Sequence, residues 1–269
     1  MQRFFGRVDS AGRTRDFALM AAYDFTAPRL FVETDLGSGA RLPLDRAQAN
    51  YLLTVLRRKP EDMILVFNGR DGEWRARLDP TGRKSADLVL EERTRTQPKS
   101  SDLHYLFAPL KSARLDYLAQ KAVEMGAGTI RPVFTRYTQG ERINAERLRA
   151  NAIEAAEQCG ILAIPDLPEA VRLPAALADL APERLLVFCD EDAPVSDPIA
   201  ALRGAADPAA PPPLAVLVGP EGGFALDERA LIAARPNTVA LSLGPRILRA
   251  DTAAVAVLAL VQAVLGDAR

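Results

Sequence analysis

Two short apolar runs near the C-terminal end, each emptying into a loop of glycine and proline, limit most what this chain can become. Residues 214–218 (LAVLV) lead into GPEGGF at 219–224, and residues 239–243 (VALSL) lead into GPRILR at 244–249. Apolar runs this short, bounded by turn residues, fit strands buried on both faces. A helical pattern follows each loop. In open α/β sheets, ligands sit where such loops leave the carboxyl ends of strands. One loop carries Glu221 and the other carries Arg246 and Arg249, so this stretch is the first candidate for a site.

The same alternation fills the second half of the chain. Apolar strands at 103–108, 129–134, 185–189, 214–218 and 238–243 are interleaved with helices. Ser112 is placed to cap a helix at 113–125, closed by Gly126, and Asn144 to cap one at 145–159, stopped by Gly160. This order predicts an α/β domain with a mostly parallel sheet and helices on both faces. Residues 193–213 read as a loop, stiffened by Pro211-Pro212-Pro213. Asp227 is the expected cap of the helix after the first glycine loop, and Asp251 or Thr252 of the last helix, 252–265. That last helix is apolar nearly all round, so it is expected to pack on the sheet and against a second subunit.

The first half is β-rich. Short, partly alternating runs at 29–33, 63–67, 73–78 and 86–91 are separated by turn signals at Asn68-Gly69, Asp71-Gly72 and 79–82. Asp45 is placed to cap a helix at 46–57 that buries Ala49, Leu52, Leu53 and Leu56. Together these predict a small barrel-like module at 28–95, preceded by a flexible extension at 1–27 in which Met20 offers an alternative start. The polar stretch 94–101 (TRTQPKSS) marks a boundary, and the second domain is expected at 102–269.

Composition narrows the chemistry. The 269 residues include two cysteines and one histidine. Cys159 and Cys189 are too few and too far apart for a disulfide framework or a metal cluster, so no metal is expected. His104 lies inside a strand and is read as structural, which removes most histidine-dependent hydrolase mechanisms. With no signal-peptide pattern and no long apolar span, the expected setting is the reduced cytoplasm. Residues 1–100 carry 18 Lys+Arg against 14 Asp+Glu, and 101–269 carry 16 against 21. The basic front half suggests an anionic partner. Arg57, Arg58, Lys111, Arg114, Lys121, Arg131 and Arg136 are the candidate phosphate contacts.

The glycine loop at 219–223 is neither a dinucleotide fingerprint nor a P-loop, since the spacing differs and no Lys-Ser/Thr follows. Glu221 would repel a bound phosphate, so the loop suits a neutral or cationic ligand better.

The chain resembles the RsmE-type family of 16S rRNA uridine-N3 methyltransferases over residues 28 to 266. The resemblance rests on PRLFVE at 28–33, YLLTVLR at 51–57, APLKSARLDYLAQKAVEMGAGTIRPVFTRYT at 108–138, EAAEQCG at 154–160, VGPEGGF at 218–224 and LSLGPRILRADTA at 241–253. It implies a PUA-like RNA-binding domain followed by a SPOUT-type domain, whose knotted chain grips S-adenosylmethionine and which forms a homodimer. Its cofactor pocket falls here on Leu217, Gly219, Pro220, Glu221, Gly222 and Gly223, then on Ser242, Leu243, Gly244, Arg246, Leu248 and Arg249. Two positions depart from the family pattern: Ile161 where many relatives have arginine, and Asn50 where many have histidine.

The implied partner is 16S rRNA of the small ribosomal subunit, and the implied reaction methylates N3 of a uridine. N3 lies on the Watson–Crick edge, so the target must be unpaired or flipped out. Arg249 is the expected stabiliser of the developing anion. Glu221, Glu124 and water all stand as the base. Methylation of another RNA (a tRNA, or a ribose 2′-hydroxyl) and non-catalytic ribosome assembly are the competing readings.

Overall fold

Why the two halves separate is visible in their cores. In the computed structural model, which describes residues 26–82, 84–139, 142–193 and 197–268, the chain divides between Thr96 and Gln97. All but Thr26 and Ala27 of the extension expected at 1–27 falls outside the described residues.

The first unit is a five-stranded sheet in the order β1-β3-β4-β5-β2. Its strands are β1 (Arg29–Phe31), β2 (Arg41–Pro43), β3 (Met63–Phe67), β4 (Glu73–Gly82) and β5 (Ser85–Arg95). Alternation along β4 and β5 buries Ala76, Leu78, Ala86, Leu88 and Leu90, which meet Ile64, Val66 and Leu52 in one apolar core. The turn at 68–72 forms as its residues predict. The Asn68 side-chain oxygen accepts from the backbone N–H of Arg70 and Asp71, and Gly69 and Gly72 take positive φ. Residues 79–82, read as a turn, instead continue β4. β2 had no signal, because three residues are too few to show a period.

The helix expected at 46–57 is shorter than its apolar spacing suggested. Asp45 and Gln48 form a capping box at the start of α1 (Arg46–Asn50). The chain then widens into a π-helical turn, Tyr51–Val55, and ends at Arg57 with φ 53°. Beneath the sheet edge a buried cluster joins Arg29, Glu73 and Arg95. Arg95 Nη2 lies 2.6 Å and Arg29 Nε 3.0 Å from the Glu73 carboxylate, and Thr94 also donates to it. Burial alone would raise the Glu73 carboxyl, but these donors outweigh it and hold it below its ordinary value.

The second unit is a six-stranded parallel sheet in the order β11-β9-β10-β6-β7-β8. Its strands are β6 (Leu103–Phe107), β7 (Thr129–Phe134), β8 (Val171–Arg172), β9 (Leu185–Cys189), β10 (Leu214–Val218) and β11 (Thr238–Leu241). The central strand, β10, is buried at every position. One face packs on α4 (Leu173–Ala178) and α6 (Leu226–Ala233), with Leu106, Leu186, Phe188, Leu217 and Phe224 between the layers. Elsewhere α2 (Ser112–Glu124) packs with α3 (Ala145–Cys159) and with the last helix, α7 (Ala250–Val264), which lies on β10 and beside α5 (Pro198–Ala205). Asn144 caps α3 and Gly160 ends it at φ 67°, as the sequence predicts.

Several boundaries differ, for local reasons. α2 starts at Ser112, with Lys111 in the cap position. Residues 197–205 are not loop: Asp197 accepts from the N–H groups of Ile199 and Ala200, and Pro198 opens α5. Asp227 and Asp251 lie inside the first turns of α6 and α7, where the helix dipole favours a carboxylate, but neither is the cap; Ala225 and Arg249 are. Gln262 of α7 donates to the Met125 carbonyl and accepts from the Asp267 N–H, tying the last helix to the end of α2.

Candidate active site

The strand order reverses direction around β10, so the carboxyl ends of β9, β10 and β11 open onto one crevice. Three loops, at residues 190–193, 219–225 and 242–249, border one cavity there. Of the residues expected from the sequence, Gly219, Pro220, Glu221, Gly223, Ser242, Leu243, Gly244, Arg246 and Leu248 line it. Leu217 does not, because its side chain is buried in the core on the α6 side. Gly222 faces elsewhere: a Cβ there would lie 3.3 Å from Tyr137. Arg249 is exposed at the start of α7, outside the lining.

Glycine is required at three points for three different reasons. A Cβ on Gly219 would sit 2.4 Å from the Phe224 ring, which packs edge-on against Phe188 at 5.0 Å. Gly223 has φ 68°, and a side chain there would meet the Glu191 carboxylate at 3.3 Å. Gly244 has φ 105° and nothing within 4 Å of where its Cβ would be, so its backbone lies open to a ligand. The floor is apolar, formed by Val218, Leu241, Leu243, Leu248, Ala250 and Ala253.

The loop after β9 escaped sequence reasoning, since its residues Asp190, Glu191 and Asp192 match no glycine motif. Arg229 of α6 organises it. Its guanidinium lies 2.9 Å from Asp190, also pairs with Asp192, and stands 3.9 Å from Glu191. Its Nε donates to the Phe224 carbonyl at 3.3 Å, so one side chain joins two of the three loops. Cys189, half-buried below them, has its thiol pushed up to about 12 by burial and by Asp190.

Glu221 belongs to a second cavity as well, bounded by Pro109, Leu110, Lys111, Arg114 and Gln139. Arg114 Nη1 donates to Glu221 Oε1 at 2.7 Å, across 107 positions of sequence. Thus Arg114, one of the candidate RNA contacts, meets the glycine loop, and Lys111, another, lines the same cavity. The others are placed differently. Arg136 pairs with Asp227 at 2.6 Å, Arg131 with Asp179 at 2.8 Å, and Lys121 with Glu124 at 2.6 Å while lying over the Tyr117 ring. Arg57 and Arg58 belong to the first unit, where Arg57 is exposed. Glu124, whose carboxylate is held by Lys121, lines neither cavity. His104 is also absent from both linings, and burial, with Arg184 nearby, lowers its pKa.

Residues 97–262 match the domain family described as RNA methyltransferase domain. The chain belongs to this RNA methyltransferase family. Residues 44–91 match the family's companion, the RNA methyltransferase PUA domain. Among curated family members, ribosomal RNA small subunit methyltransferase E of Rickettsia conorii is 31% identical over 87% of this chain and 94% of its own. Two solved structures carry the whole architecture. The ribosomal RNA small subunit methyltransferase E of Neisseria gonorrhoeae, bound to S-adenosylmethionine, superimposes with a TM-score of 0.78 at 25% identity, over 90% of this chain and 99% of that one. A methyltransferase from Legionella pneumophila, in complex with the same cofactor, gives 0.75 at 26% identity, over 88% and 97%. Family members therefore share the SPOUT-type parallel sheet and the smaller N-terminal PUA domain seen here. Among the described residues, no helix is long and apolar enough to cross a membrane, and no cluster of His, Cys, Asp or Glu is arranged to hold a metal ion.

Proposed function

We propose that the chain is an S-adenosylmethionine-dependent methyltransferase of the small-subunit ribosomal RNA, acting on N3 of a uridine in 16S rRNA in the cytoplasm. The convergence of three strand-end loops on one glycine-lined cavity carries this reading, together with the shared architecture of relatives that bind the cofactor. The cavity suits that ligand. Its floor offers apolar area to an adenine ring, the open backbone at Gly244 allows close approach, and among the lining side chains Asp190, Glu191 and Glu221 outnumber Arg229 and Arg246, a balance that favours a cation. Residues 219–223 and 242–248 would hold it, with the loop after β9 as the third wall.

When bound, the cofactor supplies a methyl group activated by its sulfonium. The protein's task is then to align the acceptor, exclude water and manage one proton. Glu221, whose Oε1 is already engaged by Arg114, receives the N3 proton as the N–CH₃ bond forms and the S–CH₃ bond breaks. Arg114 takes the role expected of Arg249, meeting the negative charge that develops on a uracil oxygen. Arg249 lies outside the cavity lining.

The same reading includes a homodimer and the knotted path of the family's fold. The last helix supports the dimer, since α7 leaves Thr252, Ala259 and Ala263 exposed on one side, with Val255, Ala256 and Leu260 half-exposed beside them. Sedimentation velocity should give twice the chain mass. The activity itself is tested by mass spectrometry of nucleosides from 16S rRNA in cells with and without the gene. N3-methyluridine should disappear on deletion and return on complementation. Its persistence, or loss of a ribose-methylated nucleoside instead, rejects this assignment.

A further inference from the structure

We propose that the second cavity, across Glu221 from the cofactor loops, seats the acceptor base, an unpaired uracil whose ring enters between Lys111 and Gln139. This rests on the methyl-transfer reading above and names where its substrate lies. Donor and acceptor atoms must approach to about 3–3.5 Å, so the acceptor's seat has to share a wall with the cofactor's. Glu221 is that shared wall. A further groove of this unit, bounded by Arg136, Arg172, Asp227 and Glu228, has no lining residue in common with the cofactor cavity.

The lining matches one pyrimidine edge. A uracil with N3 turned toward the methyl donor presents O2 and O4 on either flank, and both are acceptors. Lys111 and Arg114 can only donate, and Gln139 can turn its amide nitrogen inward. Cytosine would set an amino donor against Lys111 or Arg114 whenever its N4 lies on their side, and its N3 carries no proton for Glu221 to receive. Pro109 and Leu110 add apolar surface for the ring, and the lysine also offers a charge to the attached phosphate. Glu221, the one carboxylate among the described lining residues, stands where the N3 proton must go.

The test uses Lys111→Ala and Gln139→Ala in the full chain, with small ribosomal subunits lacking the modification as substrate and saturating S-adenosylmethionine. Each substitution should raise KM for the subunit about tenfold, the scale of one lost hydrogen bond to a charged or acceptor group. Cofactor Kd measured by calorimetry should stay within twofold, and Lys111→Arg should restore most of the affinity for the subunit. Wild-type KM in both alanine variants overturns the assignment, as does a loss of cofactor affinity that matches the loss for the subunit. A wild-type chain that binds cofactor but leaves uridine unmethylated overturns the parent reading first.

Discussion

Removing the Arg114 guanidinium should separate what the Arg114–Glu221 pair does for the fold from what it does for the reaction. Arg114 is 38% exposed and Glu221 47%, so water screens their attraction despite the 2.7 Å contact. Pairs this exposed contribute roughly 0.2–1 kcal/mol to stability. For a domain of this size, about 1 kcal/mol moves the melting temperature by roughly 2–4 °C. Arg114→Met keeps an unbranched aliphatic stem on the helix, so its melting temperature should fall by no more than about 4 °C. The reaction should respond differently. Deleting one donor aimed at developing negative charge typically costs about a hundredfold in kcat, or about 2.7 kcal/mol of transition-state stabilisation. Glu221→Gln and the double variant complete a cycle in which coupling should be large in kcat and small in unfolding free energy. The assay is single-turnover methyl transfer from labelled cofactor, run beside thermal melts of the same preparations. An Arg114→Met protein that turns over normally, or that melts well below the stated range, refutes the reasoning.

Three further outcomes follow from the packing. Gly219→Ala must displace the Phe224 ring from its place against Phe188, costing about 1–3 kcal/mol and weakening cofactor binding by calorimetry; unchanged affinity would count against the loop assignment. Glu73→Gln leaves Arg29 and Arg95 buried beside a neutral amide, and should destabilise the first unit by about 3–5 kcal/mol at pH 7 in denaturant titrations. Because the folded carboxyl is held below its unfolded value, this penalty should be full at neutral pH. It should shrink as the pH falls through the folded value; a penalty that grows with acid contradicts it. Finally, an aromatic disulfide reagent at pH 8 should modify exposed Cys159 faster than Cys189, whose thiol is held up to about 12 by burial and by Asp190; two native thiols reacting equally fast would contradict this.

What could be read from the sequence was whatever has a local cause. Asn144 and Gly160 delimit α3 because cap and stop are single-residue chemistry, and β7, β9 and β10 have the bounds their apolar runs predict. Where two local signals compete, the reading failed. Asp197-Pro198 is a good helix start, but a surrounding run rich in alanine and proline hid it. The apolar spacing at 46–57 continues past the point where the backbone widens into a π turn. In the site, the two glycine loops were visible because glycine answers to backbone geometry. The third loop and the Arg114–Glu221 contact were not, because long-range charge pairing leaves no period in the chain. Arg249 was expected in the pocket from the family resemblance, whereas here it stands exposed at the start of α7, outside the lining.

The strand order has a consequence for how the protein is made. β10, buried at every position, lies between β9 and β6, yet it is the second-last strand to leave the ribosome. Until residues 214–218 emerge, β9 has no neighbour in the sheet, and β6 carries an open edge. The early half can close β6 on β7, but the long-range pairings wait for the late half, a topology that folds slowly. The ligand cavity, whose lining runs on to Ala250 and Ala253 in the first turn of α7, forms last of all. Nascent chains halted before α7 should hold a partial sheet with unpaired edges and retain no cofactor, so ligand capture reports completed synthesis as well as correct folding.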